Sequence, residues 1–137
     1  MVDASDWPTG RLLSAAARTV ERAWAERLAE LGLTHAGLVA LHLLQEGPSG
    51  QTELARAARV QLQTMARTLE RLERLGHVTR TRDPDDARRV VAAATPTGTS
   101  AFAEARAVEA DVFPRVPDPD ALRSALLQIV EQRADPD

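Results

Sequence analysis

The chain contains no cysteine, which excludes disulfides, thiolate metal sites and a cysteine-based redox switch. Aromatic residues make up only 3%, so aliphatic side chains and alanine must fill any core. Lysine is missing too: all 17 basic residues are arginine. No apolar run approaches the roughly 20 residues needed to span a bilayer. The opening stretch MVDASDWPTG has neither a basic start nor an apolar segment, so it does not read as a secretion signal. A cytoplasmic location is the default expectation.

What remains suits a single folded domain over residues 1–137, with 44% hydrophobic and 27% charged residues. The net charge of −3 is unevenly spread. Residues 51–95 hold nine Arg and six acids, or +3. Residues 1–50 hold four Arg and six acids, or −2, and residues 96–137 hold four Arg and eight acids, or −4. The basic excess therefore lies in the middle of the chain. Arginine suits bidentate contacts to phosphate and guanine, and an all-arginine set is also what a GC-rich coding bias produces.

Periodicity places the elements. Leu12, Leu13, Ala16, Val20, Ala23, Trp24, Leu28 and Leu31 recur at helical spacing after Pro8, and Gly32 stops the run. Thr34 caps a second helix carrying Leu38, Val39, Leu41 and Leu44, which ends at Gly47-Pro48. Ser49-Gly50 reads as a very short strand. Gly50 stands at an N-cap with Glu53 three residues on, which is half of a capping box. Leu54, Ala55 and Ala58 are expected to face inward, and Val60 to close the turn. The next helix runs from about Leu62 to Leu75, with Leu62, Met65, Leu69 and Leu72 inward and Gln63, Thr64, Arg67, Thr68 and Arg71 outward. His77 to Arg82 alternates like a strand, Asp83-Pro84-Asp85-Asp86 is turn chemistry, and Arg89 to Ala94 is the return strand. A helix from Thr95 or Thr97 carries Phe102, Ala105 and Val108. A last amphipathic helix, from about Pro119 to Gln132, presents Leu122, Leu126, Ile129 and Val130.

The expected fold class is therefore mainly α with a small β-hairpin, an α+β winged helix-turn-helix flanked by N- and C-terminal helices. An exposed helix and a basic hairpin tip on one face suit adjacent DNA grooves. Gln63, Thr64 and Arg67 stand where a recognition helix meets base edges. Thr68 and Arg71 stand one turn on, nearer phosphates. The competing reading is a solvated face, with Arg67 and Arg71 paired to Glu70, Glu73 or Glu53.

The stretch TELARAARVQLQTMARTLERLERLGHVTRTRDPDDARR, followed by the Thr-x-x-Gly of Thr95 to Gly98, resembles the MarR family of winged-helix regulators. LGLTHAGLVALHLL resembles that family's second helix. The family's Asp-x-Arg element falls on Asp86-Ala87-Arg88. The resemblance implies that Arg88 is the wing arginine that reaches DNA and that Asp86 orients the wing through an arginine contact. Gln61, Arg82 and Arg89 complete the expected DNA-binding set. Four departures stand out. Gln61 replaces the usual Ser or Thr cap, Arg59 stands where Gly is common, the return strand lacks a large apolar residue before Thr95, and the C-terminal helices are short and broken by proline.

The resemblance also implies a homodimer, with residues 8–33 and 100–137 as dimerisation helices and 34–98 as the part that binds double-stranded DNA. It further implies a small phenolic or amphipathic effector, for which Arg18, Trp24, His35, Leu38 and His42 are the candidate lining. His35 and His42 share a helix face, but their spacing is poor for a metal, and no metal site or cofactor is expected. No phosphate loop, G-x-S-x-G or H-E-x-x-H supports an enzyme. The expectation is a ligand-responsive repressor on a pseudo-palindromic operator. The alternatives are a winged-helix module that binds protein, and a ligand-binding or enzymatic protein that uses the interhelical cavity.

Overall fold

A computed structural model describes residues 3–132. Helix α1 (Thr9–Glu30) leads into α2 (His35–Leu44), the short strand β1 (Ser49–Gly50), and helices α3 (Gln51–Ala58) and α4 (Leu62–Arg74). Strands β2 (Val78–Arg82) and β3 (Val90–Ala94) follow, then α5 (Pro96–Val112) and α6 (Pro119–Gln132). The sheet is antiparallel in the order β1-β3-β2, with Gly50 opposite Val91 and Arg80 opposite Ala92. This is the mainly helical winged helix-turn-helix expected, with Ser49-Gly50 as its third strand. The C-terminal span expected as a dimerisation helix runs past residue 132, and that last part lies outside the described residues.

Local chemistry explains the boundaries. Gly32 (φ +73°) and Gly76 (φ +80°) take the left-handed conformation that follows α1 and α4, where a side chain would be strained. Thr34 accepts a hydrogen bond from the Gly37 amide at 3.0 Å and so caps α2. Thr95 does the same for α5, accepting from the Gly98 amide at 3.0 Å, with Pro96 in the first helical turn. The Thr95 hydroxyl also donates to the Gly76 carbonyl at 2.6 Å, tying the end of α4 to the start of α5. A Cβ on Gly98 would overlap the His77 carbonyl, so the Thr-x-x-Gly pattern combines a cap with a close backbone approach.

The core is aliphatic, as the scarcity of aromatics requires. Leu28, Leu41, Leu54, Leu69, Leu72 and Val78 are its largest fully buried side chains, from α1, α2, α3, α4 and β2. Ala92 of β3 and Ala105 of α5 are buried beside them. Truncating one such leucine to alanine costs about 2–5 kcal/mol, because the transfer and cavity terms add. One residue expected on the inward face is not buried: Leu62 is 49% exposed. Leu62 opens α4, where no preceding turn covers it, and lies at the margin of the Met65, Leu69 and Leu72 stripe. In α1 only Leu28 is buried, and α6 buries no residue at all.

Candidate nucleic-acid interface

Helix α4 is built with two distinct faces. Met65, Leu69 and Leu72 enter the core, which turns Gln63, Arg67 and Arg71 outward, all exposed. Its N-cap, Gln61, is extended (φ −67°, ψ 149°) and makes no side-chain cap bond, so the first amides of α4 lack the usual oxygen acceptor. The turn before it contains Arg59 at φ 58°, ψ 43°, a left-handed conformation carried without glycine.

Three nearby acids are the expected partners for a merely solvated arginine face. Each is taken by a different arginine. Glu70 pairs with Arg74 at 3.4 Å, Glu73 with Arg80 at 3.2 Å, and Glu53 with Arg89 at 3.4 Å. Glu73 also accepts from the Arg80 amide at 3.1 Å. Among the described residues, the side chains of Arg67, Arg71 and Arg88 have no ion-pair or hydrogen-bond partner. Their charge therefore faces solvent uncompensated at contact range.

The wing loop between β2 and β3 is closed by its own polar groups. The Asp83 amide donates to the Arg89 carbonyl at 2.9 Å, and the Arg89 amide to the Asp86 carbonyl at 2.9 Å. Asp83 accepts from the Asp85 amide at 2.9 Å, and Asp86 from the Arg88 amide at 3.0 Å. Arg82 donates to the Ala87 carbonyl at 2.6 Å. Asp86 was expected to orient the wing through an arginine contact, and the contact it makes is with the backbone amide of Arg88. The carboxylate that binds an arginine side chain is Asp83, at 3.0 Å from Arg89. Arg89 was expected beside DNA, yet two of its nitrogens are already committed, Nε to Glu53 and Nη1 to Asp83.

These contacts bias protonation. The Asp85 amide, then Arg89, holds the Asp83 carboxyl below its ordinary value. The Glu53 carboxyl is also lowered, first by its own backbone amide and then by Arg89. The Arg89 guanidinium is raised, chiefly by its hydrogen bond to Asp83.

Thr64 and Thr68 are turned toward α2 more than the arginines are. With His35, Val39, Val60 and Met65 they line a hollow of about 200 Å³. The Thr68 hydroxyl donates to the Thr64 carbonyl at 3.0 Å, which leaves it only accepting capacity and nothing to give a phosphate. Arg59 was read from sequence only as a turn departure. It is exposed beside the start of α4 and has no ion-pair partner among the described residues.

A second feature is a cavity against α2. Trp24, His35, Leu38 and His42 line one cavity of about 170 Å³ with Phe102 and Glu109. The Trp24 and His35 rings are 5.1 Å apart, and those of His42 and Phe102 are 5.5 Å apart. The Trp24 indole nitrogen is buried without a hydrogen-bond partner. Arg18, expected in this lining, is not there; it bonds the Ser14 hydroxyl at 3.1 Å on the exposed part of α1. Phe102 and Glu109 come from α5, which the helix-by-helix reading of the sequence did not bring to this place.

No helix among the described residues is long and apolar enough to cross a membrane. Residues 33–90 match the model of the MarR family. No curated protein matches the sequence. Among solved structures, a MarR-family transcriptional regulator from Rhodococcus sp. RHA1 is similar with a TM-score of 0.81 and 26% identity, covering 93% of each chain. A probable transcriptional regulator from Pseudomonas aeruginosa has a TM-score of 0.77 and 28% identity, covering 90% of this chain and 98% of the other. A mutant MarR from E. coli, solved in complex with operator DNA, has a TM-score of 0.73 and 25% identity, covering 93% of this chain and 96% of the other. The family match and these likenesses support DNA-binding transcriptional regulation.

Proposed function

From the match of residues 33–90 to the MarR family and the winged-helix fold, we propose that the chain is a ligand-responsive repressor that binds a pseudo-palindromic operator as a homodimer. The observation that carries this reading is the division among the arginines. Arg74, Arg80 and Arg89 absorb Glu70, Glu73 and Glu53, while Arg67, Arg71 and Arg88 are left unneutralised on α4 and the wing. Uncompensated arginine on a helix and a neighbouring hairpin is the arrangement that phosphate and guanine recognition uses. The DNA complex of the similar E. coli protein supports the same use of the fold.

In this reading α4 enters the major groove. Gln63 and Arg67 meet base edges, Arg71 meets phosphate, and Arg88 reaches the backbone or minor groove from the wing. Residues 34–98 do the reading, and α1 and α6 assemble the dimer. Leu12, Leu13, Leu127, Ile129 and Val130 are all 39% exposed or more, which is apolar area for a second copy to cover. A two-fold pair then places its recognition helices about 34–36 Å apart. The cavity at Trp24, His35, Leu38 and His42 takes a small amphipathic or phenolic effector, with the unpartnered indole N–H as a donor. The protein is read as cytoplasmic and non-enzymatic.

Titrating the full chain against a random-sequence duplex pool at low salt tests the reading, followed by sequencing of the retained DNA. Recovery of an inverted-repeat consensus supports it. No retention at any salt concentration, or retention unchanged by Arg67→Ala and Arg88→Ala together, overturns it and favours a protein-binding winged helix.

A further inference from the structure

The wing loop closes on itself through Asp83, Asp86, Arg82 and backbone bonds. One side chain connects it to α3. Arg89 gives Nη1 to Asp83 at the base of the wing, 3.0 Å away, and Nε to Glu53 in the first turn of α3, 3.4 Å away. Among the described residues it makes the polar side-chain contact between the wing loop and α3. Gly50 makes room for it: a Cβ there would strike the Glu53 carboxylate and come within 3.0 Å of Arg89 Nε. The φ of Gly50 is −66°, which any residue adopts, so backbone conformation does not explain the glycine. The space does.

We infer that Arg89 is a positioning residue for DNA binding: by holding Asp83 and Glu53 at once it sets the wing, and with it the adjacent Arg88, against the helix-turn-helix. This inference rests on the DNA-binding reading above. It separates two roles within one dipeptide. Arg88 is free to meet the duplex, and Arg89 fixes where Arg88 stands. It also gives an acid a part in binding a polyanion. By field alone, removing Glu53 would help DNA approach. As half of the latch, Glu53 is needed.

The test uses the full chain and a duplex selected by the wild-type protein from a random pool. Arg89→Gln, Glu53→Gln and Gly50→Ala are expected each to weaken binding roughly 3–10-fold, within the range of coupled neighbours. Gly50→Ala does so with both charges retained. None of the three is expected to change the slope of log affinity against log salt, whereas loss of a true phosphate contact makes it shallower by about one. Arg89→Lys, which can hold one carboxylate but not the fork of two, falls between wild type and Arg89→Gln. The swapped pair Glu53→Arg with Arg89→Glu recovers part of the loss that either single change causes. Without DNA, amide exchange at Asp86 and Arg89 is expected to quicken in Arg89→Gln. Binding by Glu53→Gln as tight as wild type or tighter overturns the inference. So does a salt slope shallower by one in Arg89→Gln, or wing exchange that does not change. Failure of the wild type to bind any duplex would instead remove the DNA reading, and the exchange measurement would still decide the latch.

Discussion

The wing and α6 are both exposed, and they are held in opposite ways. Around the wing, nearly every contact is polar: two aspartates fold onto neighbouring amides, Arg82 reaches a loop carbonyl, and Arg89 bridges two carboxylates. Helix α6 shows the reverse. It buries no residue, and Leu127, Ile129 and Val130 are 43%, 50% and 61% exposed. Between α6 and α1 runs a cleft of about 350 Å³, lined by Leu13, Ala16, Val20, Phe113, Leu122 and Leu126. A polar loop satisfied by its own groups is complete in one chain. An amphipathic helix with an uncovered apolar stripe leaves area in water, which forfeits about 25 cal/mol per Å².

The comparison breaks most sharply at α6. Replacing Leu126 and Ile129 together by Glu is expected to leave the winged helix folded and to yield monomers by sedimentation. Affinity for a two-half-site duplex should fall on the order of 10²-fold or more, since the second half-site contact no longer comes tethered. A double variant that remains dimeric and binds normally would place assembly elsewhere. Next in size is Gly98→Ala, which forces a methyl against the His77 carbonyl, a backbone atom that cannot swing aside. A loss of about 1–3 kcal/mol in chemical denaturation is expected. At the wing, Arg88→Ala should weaken binding to all duplexes alike and make the salt slope shallower by about one. Gln63→Ala, by contrast, should alter base preference at one position per half-site, by about 1–3 kcal/mol. A uniform loss would remove Gln63 from the reading set.

The smallest effect concerns pH. Asp83 and Glu53 have carboxyls lowered in the folded chain, so the stabilisation they give is present at neutral pH. It disappears as pH falls through their folded values, below about pH 4 where free carboxylates protonate. Arg89 stays charged throughout. The melting temperature of Arg89→Gln should therefore lie slightly below that of wild type at pH 7 and converge with it in acid. A gap that persists or widens at low pH would contradict the ion-pair origin.

Much of this was legible along the chain because the signals are local. Thr34, Gly76, the Asp-rich turn and Thr95 act within a few residues of where they stand, and each marks a boundary found in the structure. The stripe of Met65, Leu69 and Leu72 follows from helical period alone. What sequence could not give was partnership across space. Glu53 and Arg89 lie 36 positions apart, and nothing in spacing chooses Arg89 over Arg67 or Arg71 for that carboxylate. For the same reason Arg18 was expected at the cavity and Glu109 was not. Both fit a helical pattern, and only the packing of α1 on α5 decides which faces α2. Leu62 illustrates a third limit, since period assigns a face without saying whether anything stands opposite it.

One consequence follows from the place of Trp24. Of the chain's 2 tryptophans, Trp7 lies near the N-terminus with the Arg11 guanidinium 5.8 Å from its ring. Trp24 forms part of the wall of the cavity at His35 and also of the cleft between α1 and α6. Its emission therefore senses both compartments. Filling the first should perturb the indole directly, and closing a second copy over α1 should dry its other side and shift the spectrum to the blue. A Trp7→Phe chain would thus carry a built-in optical gauge of occupancy and assembly, with no added label.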